Sequence, residues 1–147
     1  MKTVPLTLTL LSTLGTVQAA SLNLTMSDLK FTPAALTLKA GQPVTLRLSN
    51  TGKVPHELQI YAKPRVAPTT EAAWDAYMKT HTLWQGAKNL RLIQNGKAVG
   101  GTFFEVVLAP GAQATLTFTP TKTGVFEMAC HMPGHYEGGM KGTVTVK

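Results

Sequence analysis

Cys130-His131-Met132-Pro133-Gly134-His135-Tyr136-Glu137-Gly138-Gly139-Met140 is the stretch that decides how this chain reads. It places a thiol, an imidazole and a thioether at five-residue intervals, in a segment punctuated by proline and glycine. Cys130 is the single cysteine among 147 residues. Sulfur and imidazole donors on one short loop form a soft ligand set that suits copper. A second imidazole must come from far upstream, and His56 is well placed for it. The expected ligands are therefore His56, Cys130 and His135 in a plane, with Met140 as a long, weak axial sulfur. Backbone N–H groups in the Asn50 loop and just after Cys130 are the expected donors to the cysteine sulfur. Met132 and Met128 are the neighbours most easily confused with Met140, the first inside the loop and the second two residues before Cys130.

The loop is framed by β-like sequence. Val125 to Cys130 leads in and Gly142 to Lys147 leads out. A strand ending at Cys130 pins the thiol's backbone through ladder hydrogen bonds, and Pro133-Gly134 lets the chain curl back to His135. Further upstream, apolar and polar residues alternate along Ser21 to Lys30, with Leu22, Leu24, Met26 and Leu29 facing inward. Leu36 to Leu38, Val44 to Leu48 and His56 to Tyr61 follow, separated by turn signals at Ala40-Gly41-Gln42 and Asn50 to Lys53. Thr102 to Leu108 and Gln113 to Thr119 flank Pro110-Gly111. Short strands at this spacing predict an all-β antiparallel sandwich or barrel.

The pattern changes between Tyr61 and Thr102. Pro64-Arg65-Val66-Ala67-Pro68 breaks the strand, and Thr69 or Thr70 can cap a helix running to about Trp84. A helical insertion is thus expected around residues 69–85. Trp74, Tyr77, Met78, His81 and Trp84 share one helical face, which predicts packing on the sheets with His81 half-buried. Leu90 to Gln94 then enters a hairpin turn at Asn95-Gly96.

The amino-terminal residues 1–19 read as an export leader: a basic start at Lys2, an apolar stretch from Val4 to Leu14, and small residues at Val17-Gln18-Ala19. Residues 20–147 then form a single mature domain, periplasmic or secreted, with no membrane-spanning run. Outside the cytoplasm cysteines usually pair, so a lone cysteine there points to a ligand. The formal charge is +7, from 14 basic and 7 acidic residues. The basic residues form no run and are not interleaved with aromatics, so no nucleic-acid partner is expected. A basic surface can attract an acidic partner or an anionic surface over long range.

These residues together resemble the cupredoxins, the small blue type 1 copper proteins that include plastocyanin, azurin and auracyanin. The resemblance rests on Phe31-Thr32-Pro33, Leu36 to Gly41, the strand into Asn50, Pro55-His56-Glu57-Leu58, and Cys130 through Val146. It implies a Greek-key β-sandwich, one copper ion cycling between Cu(II) and Cu(I), and ligation by His56, Cys130, His135 and Met140. It also implies a monomer that carries electrons, with redox donor and acceptor docking around His135 on a patch of Pro55, Met132, Pro133 and Tyr136. Three features depart from the family pattern: Glu57 stands where many members have asparagine, His131 follows the ligand cysteine, and the 61–102 insertion is long. No enzymatic activity is expected, because Ala129 occupies the position before the cysteine and only His81 and His131 remain for a second copper site. The alternative reading is extracytoplasmic copper delivery, which the Met128, Met132, Met140 and His131 side chains could serve by favouring Cu(I).

Overall fold

The computed structural model describes residues 18–147. The export leader read into residues 1–19 lies outside the described residues except for its last two. One sheet contains β1 (Ala20–Ser27), β2 (Lys30–Thr32), β4 (Val44–Asn50), β6 (Lys88–Gln94), β7 (Lys97–Val99) and β9 (Gln113–Thr119), in the order β2-β1-β4-β9-β6-β7. The other contains β3 (Ala35–Leu38), β5 (His56–Tyr61), β8 (Glu105–Leu108), β10 (Gly124–Ala129) and β11 (Lys141–Val146), in the order β3-β11-β10-β5-β8. The longer strands, β1, β4, β9 and β11, lie where alternation placed them, because each buries one face against the opposite sheet. By contrast, β8 begins at Glu105 rather than Thr102, and the short β2 and β7 carry no such pattern. Leu24, Met26, Leu46, Leu48, Leu116 and Phe118 meet Leu58, Ile60, Phe126, Met128, Val144 and Val146 in one buried cluster. Complete burial of a side chain of this size is worth roughly 2 kcal/mol.

The sandwich is mixed rather than purely antiparallel. β1 pairs parallel to β4, and β3 pairs parallel to β11. The chain leaves the first sheet after β2 and enters the second at β3, so these partners come from segments distant in sequence. The run from Ser21 to Lys30 is also not one strand. Asp28 and Leu29 take φ values of 41° and 60°, and the chain turns there into the β1–β2 hairpin. Leu29 is therefore a turn residue, half-buried against the core edge. Asn95 and Gly96 adopt φ of 49° and 77°, the conformation a two-residue hairpin needs.

β5 is buried at all six positions, so both of its faces are covered. The insertion covers the outer one. Its helix α1 spans Glu71–His81 and is capped by Thr70, whose hydroxyl accepts from the Ala73 N–H at 3.2 Å. The helix stops short of Trp84 because the chain re-pairs with the end of β5. Thr82 is extended and bridges to Tyr61, its hydroxyl donates to Ile60 O at 3.2 Å, and the Leu83 N–H reaches the same carbonyl at 2.8 Å. The expected aromatic stripe accordingly splits. Met78 is buried, and Trp74 and Tyr77 pack beside Tyr61 and Ala129. Trp84 lies beyond the helix, in the main core against Phe103. His81 is exposed rather than half-buried, stacked on Tyr77 with 3.9 Å between ring centroids. Among the described residues no helix is long and apolar enough to cross a membrane.

Candidate metal centre

His56 opens β5, and Cys130 follows directly on β10. The two strands are hydrogen-bonded neighbours, so the sheet itself fixes the spacing of these two side chains. His135 comes from the loop between β10 and β11. That loop is closed by its own backbone: the Cys130 N–H donates to Met140 O at 3.1 Å, the Met140 N–H to His135 O at 2.9 Å, and the His135 N–H to Met132 O at 2.9 Å. The result brings His56, Cys130 and His135 together, with their ligand atoms all within 4.8 Å of one another. His135 Nδ1 lies 3.2 Å from Cys130 Sγ and 3.3 Å from His56 Nδ1. His56, Cys130 and Met140 are fully buried, and His135 alone is half-exposed. Met140 is tied through its backbone to both Cys130 and His135 and belongs to the same core cluster as Cys130. Met128 is a core residue of β10, and Met132 packs half-buried at the loop.

This donor set fits copper. Two imidazole nitrogens and a thiol sulfur converge, and His135 Nδ1, which carries either one proton or one lone pair, faces both His56 Nδ1 and Cys130 Sγ. A soft cation at that point would be held by His56, Cys130 and His135, with the Met140 thioether close in the chain. Burial pushes the Cys130 thiol up, against backbone hydrogen bonds from Glu57 and Met132 that pull it down. Burial, then the charge of His135, holds His56 below the ordinary imidazole range. His56 is thus in its neutral, ligating form at neutral pH, and metal binding must displace the thiol proton.

The supporting groups differ from those the sequence suggested. The donor expected after Cys130 is the Met132 N–H, but the second donor to Cys130 Sγ is the backbone N–H of Glu57, at 3.4 Å, in place of one from the Asn50 loop. Asn50 instead shapes the approach to His56. Its amide donates to Val54 O at 2.8 Å and Leu108 O at 2.9 Å, and its oxygen accepts from the Gly52 N–H at 2.9 Å. Gly52 backs the His56 ring so closely that a Cβ there would lie 2.9 Å from Nε2. Glu57 joins the two ligand segments: Oε1 accepts from the His131 N–H at 2.6 Å while its own N–H points at the cysteine sulfur. Burial, foremost, pushes the Glu57 carboxyl up, and the His131 bond opposes that shift.

His131 is half-buried, not a free surface group. Its ring stacks on Tyr136 at 4.8 Å and lies 4.5 Å from Trp74, and Nε2 is 2.8 Å from the Tyr61 hydroxyl. Glu127 Oε1 accepts from Tyr61 and Tyr136 at 2.8 and 2.9 Å, and Oε2 pairs with Lys63 at 3.0 Å. Burial alone would raise the Glu127 carboxyl, but these three hydrogen bonds overcome it and hold the group below the usual carboxylate range. Sequence periodicity could place Trp74 and Tyr77 on a helix face, but it gave no sign that the face meets His131.

Comparisons with known proteins agree with this geometry. The family model of copper-binding proteins of the plastocyanin/azurin family matches residues 18–147. A copper-resistant cuproprotein, CopI of Pseudomonas aeruginosa, is 30% identical over 143 residues, covering 86% of this chain and 76% of that protein. The CopI protein of Rubrivivax gelatinosus is 33% identical over 123 residues, covering 83% of this chain but only 63% of its own length. Among solved structures, an auracyanin from Roseiflexus castenholzii superposes with a TM-score of 0.58 at 21% identity, covering 87% of this chain and 97% of its own.

Proposed function

The chain belongs to the plastocyanin/azurin family of copper-binding proteins, and from that premise we propose that it is an exported type 1 copper protein that carries single electrons between redox partners. The observation that carries this reading is the asymmetry of the ligands: His56 at the start of β5 and Cys130 just past the end of the neighbouring β10 are fully buried, and of the three only His135 reaches the surface. When bound, copper supplies a one-electron Cu(II)/Cu(I) couple. The chain's own residues do the rest. The sheet holds His56 and Cys130 at a fixed separation in either oxidation state. The Glu57 and Met132 N–H groups stabilise the thiolate. The half-exposed edge of His135 offers the shortest way out; Met132 and Pro133 of the same loop and Pro55 next to His56 are half-buried or exposed and supply the apolar side chains for the patch. A donor and an acceptor dock there in turn, in small, rapidly exchanging encounters. Tyr136 is turned away from this patch toward Glu127 and His131.

A carrier rather than an oxidase fits the remaining donors. Among the described residues, His56, Cys130 and His135 form the one cluster of metal-ligand geometry. His81 is exposed on α1 and His131 is held in an aromatic stack, so neither builds a second centre with it. An extracytoplasmic location, read from the leader-like residues 1–19, accords with a lone cysteine held as a ligand, since a free thiol there would oxidise.

Cu(II) titration of residues 20–147 followed by absorption and electron paramagnetic resonance tests the centre. An intense thiolate-to-copper band with one equivalent, abolished by Cys130→Ser, is expected; a colourless product would refute it. A second reading, copper delivery or detoxification, is favoured by the description of the relatives as copper-resistant cuproproteins. Transfer to a strong Cu(I) chelator separates the two. A carrier keeps its copper over hours, whereas a delivery protein surrenders it within minutes.

A further inference from the structure

Five of the seven acidic residues in this basic chain, Glu57, Glu71, Asp75, Glu105 and Glu137, line a single cleft of about 450 Å³. The cleft lies between the amino-terminal half of α1 and the start of the ligand loop, and Trp74, His131, Met132 and Pro133 complete its wall. No lysine or arginine lines it. Concentrating carboxylates so strongly in a chain of net charge +7 sets a local negative field within a positive molecule. A second observation is independent of the charge. Gln59, 4% exposed, also lines the cleft; its amide nitrogen donates to Glu105 Oε2 at 3.1 Å, while its Oε1 is buried and has no hydrogen-bond partner. A buried amide oxygen without a donor carries an uncompensated desolvation penalty. Carboxylates thus dominate the lining of the cleft, with no lysine or arginine beside them and one unpartnered amide oxygen on a lining residue.

The geometry argues for a side-chain cation over a metal ion. Among the described residues no three of these carboxylates converge as His56, Cys130 and His135 do. The volume corresponds to about fifteen waters at roughly 30 Å³ each, well beyond one coordinated ion. A guanidinium brings five N–H donors in a plane and matches carboxylates in pairs, which a single point charge does not. We propose that this cleft receives an arginine side chain of a protein partner, and that it sets the partner's orientation beside the Cys130–His131 end of the metal centre. The assignment goes beyond electron carriage, since occupancy of the cleft depends on charge and shape and not on the oxidation state of the metal.

The test is a calorimetric and NMR titration of the copper-loaded, reduced protein with a tri-arginine amide peptide, with tri-lysine amide as comparison. The expected result is 1:1 binding with shifts at the Trp74 indole and the Gln59 amide. Binding should weaken as the Debye length falls from about 30 Å to about 8 Å with added salt. The double variant Glu71→Gln/Asp75→Asn, whose positions lie on α1 away from the ligands, should bind roughly tenfold more weakly with its copper spectrum unchanged. Equal binding by the variant, shifts confined to another surface, or equal affinity for tri-lysine would each overturn the proposal. So would displacement of the peptide by one equivalent of Zn²⁺ bound at these carboxylates.

Discussion

Two residues beside the ligands show how closely the centre depends on neighbours that carry no metal. Gly52 leaves room for the His56 ring, since a Cβ would stand 2.9 Å from Nε2 and 3.2 Å from Asn50 Oδ1. A contact of that length forces either the ring or the Asn50 loop to move. Gly52→Ala is therefore expected to weaken copper binding by about tenfold, through a displaced ligand, at a stability cost of roughly 1–3 kcal/mol. Competition against a chelator of known affinity checks it, and unchanged affinity would mean that the loop yields and the ring does not. Glu57 acts differently. Its carboxylate accepts from the His131 N–H and so fixes the residue that follows Cys130. Glu57→Ala leaves that N–H without its partner and is expected to cost about 1–3 kcal/mol and to change the intensity of the thiolate-to-copper band. Glu57→Gln keeps an acceptor of the same reach and should restore most of the stability. Spectra and chemical unfolding of the two variants side by side decide this, and identical behaviour of Ala and Gln would remove the hydrogen bond from the account.

At the scale of elements, α1 and β5 form one unit with the segment that carries His131. Glu127 on β10 receives Tyr61 of β5, Tyr136 of the ligand loop and Lys63 of the insertion, so one carboxylate ties three segments together. Its folded pKa lies below the ordinary value of 4.5, with burial opposing and the three hydrogen bonds prevailing. A depressed carboxyl stabilises the fold fully above the unfolded value, and that stability is lost as pH falls through the folded value. Glu127→Gln is expected to cost about 1–3 kcal/mol at pH 7, a gap that closes as the pH is taken well below 4. Denaturant midpoints measured at both pH values check the sign; a gap that grows on acidification would contradict it. The sequence made the strands legible because burial of one face imposes alternation, and it made the ligand loop legible because donor chemistry fixes residue types. The end of α1 was not legible. Helical spacing continues through Trp84, but the chain at Thr82 and Leu83 finds better partners in the Ile60 carbonyl and the edge of Tyr61. A tertiary bond of that kind leaves no local signature. For the same reason the burial of His131 leaves no local sign, since its neighbours Trp74 and Tyr61 are far away in sequence.

For the whole molecule, the question is whether the centre is built by the fold or by the metal. His56 opens β5, Cys130 follows directly on the hydrogen-bonded neighbour β10, and His135 belongs to the loop whose first and last residues are joined by the Cys130 N–H to Met140 O bond. The core that holds these strands, from Leu24 and Met26 to Val144, contains no ligand except Cys130 and Met140. Burial of those apolar side chains, which proceeds without copper, should therefore suffice to fold the chain and leave the three donor atoms converging. A preformed centre changes little on redox cycling, which is what a one-electron carrier requires. Copper then adds stability by mass action alone, about 4 kcal/mol when free ion exceeds the dissociation constant 1,000-fold. The copper-free protein is expected to unfold in a single cooperative transition with native β circular dichroism. Loading should raise the melting temperature while amide shifts stay within residues 52–57 and 130–140. A copper-free chain lacking cooperative unfolding would show instead that the metal organises the sandwich, and the centre would have to be understood as a folding nucleus in place of a rigid relay.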